Sequence, residues 1–458
     1  MGEKETTTIV AIATPPGVGG IGTVRVSGPR ARQITSCVFR SAMGDDLCGM
    51  EGYTATFGHV FDGDGDFDEA VVLIFKAPRS YTGEDVAEIS CHGGPYLLQR
   101  LVSALIRQGA KPAGPGEFTK RAFLNGKLDL TRAEAVADLI AAQGRQAAQS
   151  ALAAKEGTLF RKIQQITGDL VENAAHLAAW IDYPEEDVEE VEGERLLARL
   201  QQTEEELRSL IATFDTGRLL REGIDTAIVG RPNVGKSTVM NMMAGFDKSI
   251  VTAIPGTTRD VVEDTIIVDG IPLRLADTAG IRATDDPVER IGVQRAKERI
   301  NQASLILAVF DSSSPLTEDD REIIAACGDK PAIAIINKQD LDQKIDEKYI
   351  QDKFQHIVYT SAKAGEGREA LSQAISQVMA LEHLDPQAPM IANERQKDCV
   401  YRALAAVQSA VEALTMAFTL DAVDVCVEDA ISCLMELTGE RASEAVVEQV
   451  FARFCVGK

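Results

Sequence analysis

The residues Gly230-Arg231-Pro232-Asn233-Val234-Gly235-Lys236-Ser237 match GxxxxGK[ST] at the end of the apolar run DTAIV and just before a helical stretch. In that context the two glycines let backbone N–H groups wrap phosphate oxygens. Lys236 then reaches the β and γ oxygens, and the Ser237 hydroxyl, beside Thr238 at the helix start, suits Mg²⁺. Asn337-Lys338-Gln339-Asp340 ends the run PAIAIIN. The Asp340 carboxylate can accept from N1–H and the exocyclic amine of guanine, a donor pair that adenine lacks; an unpaired buried carboxylate would reject the wrong base. Ser361-Ala362-Lys363 follows HIVYT, where a third base-contacting loop belongs. Asp277-Thr278-Ala279-Gly280 follows LRLA and would bring a carboxylate to the magnesium shell and a backbone N–H to the γ-phosphate, as a switch loop does.

Between the phosphate loop and DTAG lies Thr252-Ala253-Ile254-Pro255-Gly256-Thr257-Thr258-Arg259-Asp260. Its hydroxyls and carbonyls could ligate cations, Thr258 as a second magnesium contact and Thr252 to Thr257 around a monovalent ion. The five motifs in this order resemble a translation-factor-class GTPase domain, an α/β P-loop (Ras-like) fold with GTP as its nucleotide. Ile281 follows DTAG where Ras-type enzymes carry a water-positioning glutamine, so hydrolysis must be assisted differently. Arg259 reads equally as an arginine finger or as a structural partner of Asp260, and is not assigned to the chemistry.

These motifs need elements to hold them. Short apolar strands alternating with helices from Glu222 to about Glu382 predict a doubly wound α/β domain, with bounds 221–383. Residues 1–126 alternate β-like runs (TTTIVAIA, GTVRVSG, YTATFGHV, EAVVLIFK, VAEISCHGG) with turns and one helical stretch, YLLQRLVSALIRQG, which predicts an α+β domain. Alanine-rich helical text fills 127–220 and returns over 384–458, which predicts an all-α domain interrupted by the inserted GTPase domain. The acidic run Pro184 to Glu194 reads as a solvated connection.

At 458 residues, 45% of them hydrophobic and 26% charged, the chain is a soluble multidomain protein of about three domains. Its net charge of −23 excludes a polyanion binder that works through a broad basic surface, so any nucleic-acid contact must be local or borrowed. Eight cysteines without a CxxC pair, together with an N-terminus lacking a signal pattern and the lack of a membrane-length apolar run, predict a cytoplasmic protein without a membrane. The segment Asp62-Gly63-Asp64-Gly65-Asp66-Phe67-Asp68 starts like a calcium loop but carries Phe67 and Leu73 where glycine and glutamate are required, so a hairpin is expected. Cys91 and His92, adjacent on a strand, should face opposite ways and form no nucleophile–base dyad.

IVAIATPPGVGGIGTVRVSG, PGEFTKRAFLNGKLDLTRAEAVADLI, GTTRD and the terminal Phe454-Cys455-Val456-Gly457-Lys458 (C-x-G-K) together resemble the MnmE/TrmE family of tRNA uridine-modification GTPases. Val18 departs from the basic or polar residue expected in the PPGxGG loop. The resemblance implies a homodimer held through N-terminal domains, with G domains that meet when GTP and K⁺ are bound. It implies K⁺ coordination by Asn233, Thr252, Ile254 and Thr257, and Glu289 as the acid that orients water; without it, Glu289 would read as a helix-start glutamate. It further implies a tetrahydrofolate-binding-like N-terminal domain taking 5-formyltetrahydrofolate or a related reduced folate. Arg25, Glu88, Lys127 and Lys458 would contact that folate, Arg25 and Lys127 suiting a glutamate tail and Glu88 a pterin edge. Cys455 stands as a pocket wall in preference to a nucleophile, because no base is identifiable beside it.

Two functions are consistent with this text. One is an enzyme that works with an MnmG/GidA-type flavoprotein, in a heterotetramer, to build an aminomethyl-type group on the wobble uridine of tRNA. The other is a GTP-driven dimerisation switch in ribosome or complex assembly without one-carbon chemistry, against which the N-terminal domain and the C-terminal motif argue. A free-standing aminomethyltransferase would leave the GTPase domain unexplained.

Overall fold

The structure, a computed structural model, describes residues 7–182, 192–244, 264–268, 270–275, 298–379, 381 and 385–458. The chain forms two compact units, one drawn from Met1–Ala137, Phe160–Glu204 and Arg402–Lys458, the other from Asp138–Leu159 and Glu205–Tyr401.

The first unit contains a seven-stranded sheet. Its strands are β1 (Ile9–Ile12), β2 (Gly19–Ser27), β3 (Phe39–Ser41), β4 (Thr54–Asp62), β5 (Gly65–Phe75), β6 (Val86–Gly93) and β7 (Lys111–Pro112), in the order β3-β4-β5-β6-β2-β1-β7. All neighbours are antiparallel except β1 and β7. Strand alternation sends Val10, Val24, Val26, Val72 and Ile74 to one face, where α1 (Ala31–Ser36) and α2 (Pro95–Arg107) cover them. Leu98, Leu101, Val102 and Leu105 of α2 fall at i, i+3, i+4 and i+7 and are buried there. The opposite face takes Ile9 and Ala11 against Phe118 of α3 (Glu117–Leu124). Where sequence periodicity marks one helix in this segment, the structure has three, because α1 and α3 span only six and eight residues, too few turns to show a period.

Asp62 pairs with Gly65 across the β4–β5 turn, so the acidic decoy is a hairpin. Asp62 accepts from Arg100 Nε and Nη2 at 2.9 and 2.8 Å, and these bonds hold its carboxyl below the usual range. Cys91 is buried and its thiol is pushed up to about 11 by burial and by the Asp68 charge, whereas His92 is exposed and meets Asp68 Oδ1 at 2.6 Å. They point to opposite faces, as the strand period requires. The C-terminal helix Glu444–Phe451 places Val447, Val450 and Phe451, with Phe454 beyond it, against Leu130, Ala133 and Val136, so segments far apart in sequence share one apolar core.

The second unit is built on a six-stranded sheet of β8 (Ile224–Val229), β9 (Asp264–Val268), β10 (Ile271–Leu275), β11 (Leu305–Asp311), β12 (Ala332–Asn337) and β13 (His356–Tyr359), in the order β13-β12-β11-β8-β10-β9. The strands run parallel apart from β9, an antiparallel edge strand that the sequence reading did not resolve. Both faces are apolar and covered: Ile228, Leu273, Leu307 and Ile335 belong to one core, Ala227, Val229, Ala308 and Ile336 to the other. Continuous apolar strands follow from burial on both sides. In such a sheet ligands bind beyond the carboxyl ends of the strands, where β8, β11, β12 and β13 release their loops.

Candidate functional site

The phosphate loop leaves β8 at Gly230 and enters the helix Lys236–Ala244. Val234 is fully buried and pins the loop to the core, while Pro232, Asn233 and Ser237 stay exposed. Gly235 has φ +101°, and a Cβ there would strike Asn337 Nδ2, so both its backbone conformation and its neighbour require glycine. Lys236 lies across the loop, its Nζ donating to the Gly230 and Arg231 carbonyls at 2.7 and 2.8 Å. Burial, with a smaller contribution from the Arg299 charge, pushes its pKa down to about 8.

The NKxD and SAK loops meet this loop through Asn337. Its Nδ2 donates to Val234 O at 3.0 Å, and its Oδ1 accepts from Ala362 N at 3.0 Å and Thr360 Oγ1 at 3.1 Å. One buried amide therefore ties the NKxD, SAK and phosphate loops together. Lys338, at φ +66°, donates to Asn233 O at 2.8 Å and to Asp311 Oδ2 at 2.6 Å. Ser361 Oγ donates to Asp340 Oδ1 at 2.8 Å, orienting the carboxylate while its residue remains exposed. Ser361 and Ala362 are buried and Lys363 is exposed at the rim. The structure thus brings Asn233, Val234, Gly235, Lys236, Ser237, Thr238, Asn337, Lys338, Asp340 and the Ser361–Lys363 loop to one end of the sheet. Thr252, Ala253, Ile254, Pro255, Gly256, Thr257, Thr258, Asp277, Thr278, Ala279, Gly280 and Glu289 lie outside the described residues.

Sequence reasoning missed Asp311, Thr360 and Asp320. Asp320, 2% exposed in side chain, lies 3.3 Å from Arg231 Nε, joining the phosphate loop to the start of the helix Glu318–Cys327, where Thr317 and Asp320 form a capping box. Asp311 ends LILAVFD, the strand beside the phosphate-loop strand, but nothing in that run names its partner, which only the register supplies.

A second cluster forms in the first unit. Register places Arg25 opposite Glu88 across β2 and β6, and Arg25 Nε meets Glu88 Oε1 at 2.8 Å. The guanidinium lies 5.9 and 5.5 Å from the ring centroids of Tyr81 and Phe118. Its Nη1 donates to Gly457 O at 3.3 Å, so Arg25 also grips the C-terminal tail. That tail is docked by a bridge between Pro115 and Val456 and by Gly116 N and Phe118 N donating to Cys455 O and Lys458 O at 3.3 and 3.2 Å. Gly457 has φ +100° and a Cβ there would collide with Ile12 O. Lys127 Nζ donates to Pro78 O at 3.1 Å, at the base of the loop that carries Tyr81. Cys455 is exposed, and Val456 lines an adjoining cavity of about 420 Å³ with Val10, Ile12, Pro15, Pro16 and Leu98. Among the described residues no helix is long and apolar enough to cross a membrane.

Comparison with known proteins agrees with this geometry. A family model described as the GTP-binding protein TrmE N-terminus matches residues 8–127, and one described as the MnmE helical domain matches residues 130–455. The tRNA modification GTPase MnmE of Acetivibrio thermocellus is 40% identical over 459 residues, covering 98% of this chain and 99% of the relative. That of Thermoanaerobacter pseudethanolicus is 41% identical over 456 residues with the same coverage. Among solved structures, the G domain of the T. maritima FeoB iron transporter aligns with 34% of this chain and 98% of its own length, at 25% identity and a TM-score of 0.25. Two family models that together span nearly the whole chain, and relatives matched end to end, show that the chain belongs to the MnmE (TrmE) family of tRNA modification GTPases.

Proposed function

We propose that this protein is a K⁺-dependent GTP-hydrolysing enzyme of tRNA modification. With a flavin-containing MnmG/GidA-type partner it forms a 5-carboxymethylaminomethyl or aminomethyl group on wobble uridine from a folate one-carbon unit. The observation that carries the nucleotide half is Asn337, whose amide joins the phosphate loop to both base-reading loops. Asp340, oriented by Ser361, reads guanine, and Lys236 and the loop amides hold the phosphates.

Oxygen ligands suit both cations. Ser237 and Thr258 would hold Mg²⁺, and Asn233, whose residue is exposed on the phosphate loop, would hold K⁺ with Thr252, Ile254 and Thr257. A bound K⁺ supplies positive charge beside the phosphates, the charge that an arginine finger supplies in other GTPases. Glu289 would orient the attacking water. In the N-terminal domain, over 1–126, Arg25, Glu88, Lys127 and Lys458 would hold the folate. Support comes from the Arg25 guanidinium, which lies 5.9 and 5.5 Å from two aromatic ring centroids, and from the docked tail that carries Lys458 and Cys455 to α3. The helical domain spans 127–220 and 384–458 around a GTPase domain at 221–383. The protein works in the cytoplasm as a homodimer joined by the flavoprotein, which brings much of the tRNA-binding surface that a net charge of −23 does not provide.

GTP turnover in KCl and in NaCl at equal ionic strength, with Glu289→Ala alongside, tests the cation reading. Stimulation by K⁺ of tenfold or more, lost in the variant, is the expected outcome. Equal turnover in the two salts would remove Asn233 and the threonine loop as a K⁺ site and favour the assembly switch.

A further inference from the structure

Lys338 is held from two directions by the end of one strand. Asp311 is the last residue of β11, and in the parallel ladder it stands opposite Asn337, the residue before Lys338. Its side chain is 11% exposed. Oδ1 accepts from Ser313 N at 2.9 Å and Ser313 Oγ at 2.6 Å, which leaves Oδ2 to face the Lys338 ammonium at 2.6 Å. Burial alone would raise the Asp311 carboxyl, but the hydrogen bonds from Lys338 and Ser313 outweigh it and hold it below its ordinary value, so it is ionised at neutral pH. The neighbouring Ser312 grips the same lysine by its backbone, its Oγ donating to Lys338 O at 2.8 Å, and Ser312 N donates to Asn337 O at 2.9 Å.

The ammonium so held donates to Asn233 O in the phosphate loop. Asn233 has φ +64°, a left-handed conformation that asparagine adopts more readily than most side chains but that its surroundings must still hold in one arrangement. A lysine head on four rotatable bonds imposes little unless its far end is fixed. The geometry points to Asp311 as a positioning residue for nucleotide binding, an anion that locks Lys338 across the phosphate loop and so couples that loop's shape to the guanine-reading loop. Asp311 is far from the guanine-reading carboxylate in sequence and matches none of the GTPase motifs, and its role follows only from the β11–β12 register.

A purely architectural carboxylate capping Ser313 would behave differently, which the test exploits. Affinity for a fluorescent GDP analogue is measured on the full-length protein carrying Asp311→Asn, Asp311→Glu, Lys338→Met and the pair Asp311→Asn with Lys338→Met. Asparagine keeps an acceptor for Ser313 and loses the charge. The expected result is a tenfold or greater loss of affinity in Asp311→Asn, at least partly recovered by glutamate, and a further loss of less than twofold when the same change is made in the Lys338→Met background. The proposal is overturned if Asp311→Asn binds within twofold of the unmodified protein. Failure of glutamate to improve on asparagine, or a second change in the Lys338→Met background as costly as the first, would overturn it too.

Discussion

Asn337→Ala is expected to abolish measurable GTP turnover and to weaken nucleotide binding by at least two orders of magnitude. The residue is 3% exposed, and its side chain satisfies three groups at once, the Val234 carbonyl, the Thr360 hydroxyl and the Ala362 N–H. Leaving a buried polar group unpaired costs about 1–3 kcal/mol, and a factor of one hundred requires only about 3 kcal/mol. The loss falls on binding more than on folding because the three groups sit on loops, whereas the strands beneath them keep their apolar cores. Titration with a fluorescent GDP analogue, run beside thermal unfolding, separates the two. A dissociation constant within tenfold of the unmodified protein would show that the loops hold their shape without this amide.

Arg121→Ala is expected to destabilise the first unit by about 3 kcal/mol, the lower end for breaking a buried ion pair, since both carboxylate partners keep some exposure. Arg121 is 2% exposed and donates to Thr7 O at 2.7 Å, Thr7 Oγ1 at 3.0 Å and Glu117 Oε1 at 2.9 Å, with Glu84 at 3.2 Å. Glu84 in turn accepts from Ser27 Oγ, and Glu117 from Gly114 N, both at 2.7 Å. Removing the guanidinium strands two carboxylates beside the first turn of α3, the turn whose Phe118 N–H receives the C-terminal tail. Two readouts should therefore move together: the unfolding midpoint falls by roughly 6–12 °C, and Cys455 alkylates faster as the tail loosens. An unchanged midpoint would contradict the structural account, and an unchanged alkylation rate would separate the network from the tail.

The nucleotide site was legible where its chemistry is written at fixed covalent spacing. Gly230 to Ser237, Asn337 to Asp340 and Ser361 to Lys363 each lie at a strand end, and five short apolar runs supplied β8, β10, β11, β12 and β13. What joins the loops was not legible. Asp311 reaches Lys338, and Arg231 reaches Asp320, only because strand order and register put them side by side. The N-terminal cluster shows the same division. By sequence Arg25 and Glu88 are separate ligand contacts 63 positions apart, yet the β2–β6 register makes them partners. The C-terminal motif was visible as a motif, but its docking depends on Gly457 packing against Ile12 O and on α3, a helix too short to announce itself by period. The cation-ligating chemistry of the threonine loop was readable from its hydroxyls and carbonyls, whereas the role of Glu289 rests on resemblance alone.

The central claim, that GTP hydrolysis by this chain serves tRNA modification, is tested most directly on tRNA itself. Bulk tRNA would be digested to nucleosides and analysed by mass spectrometry from cells with the gene disrupted and from the same cells carrying the unmodified protein or Lys236→Ala. The account predicts that the 5-carboxymethylaminomethyl or aminomethyl uridine derivative disappears on disruption, returns with the unmodified protein and stays absent with Lys236→Ala. A full complement of that nucleoside in the disrupted cells, or its restoration by Lys236→Ala, would contradict it.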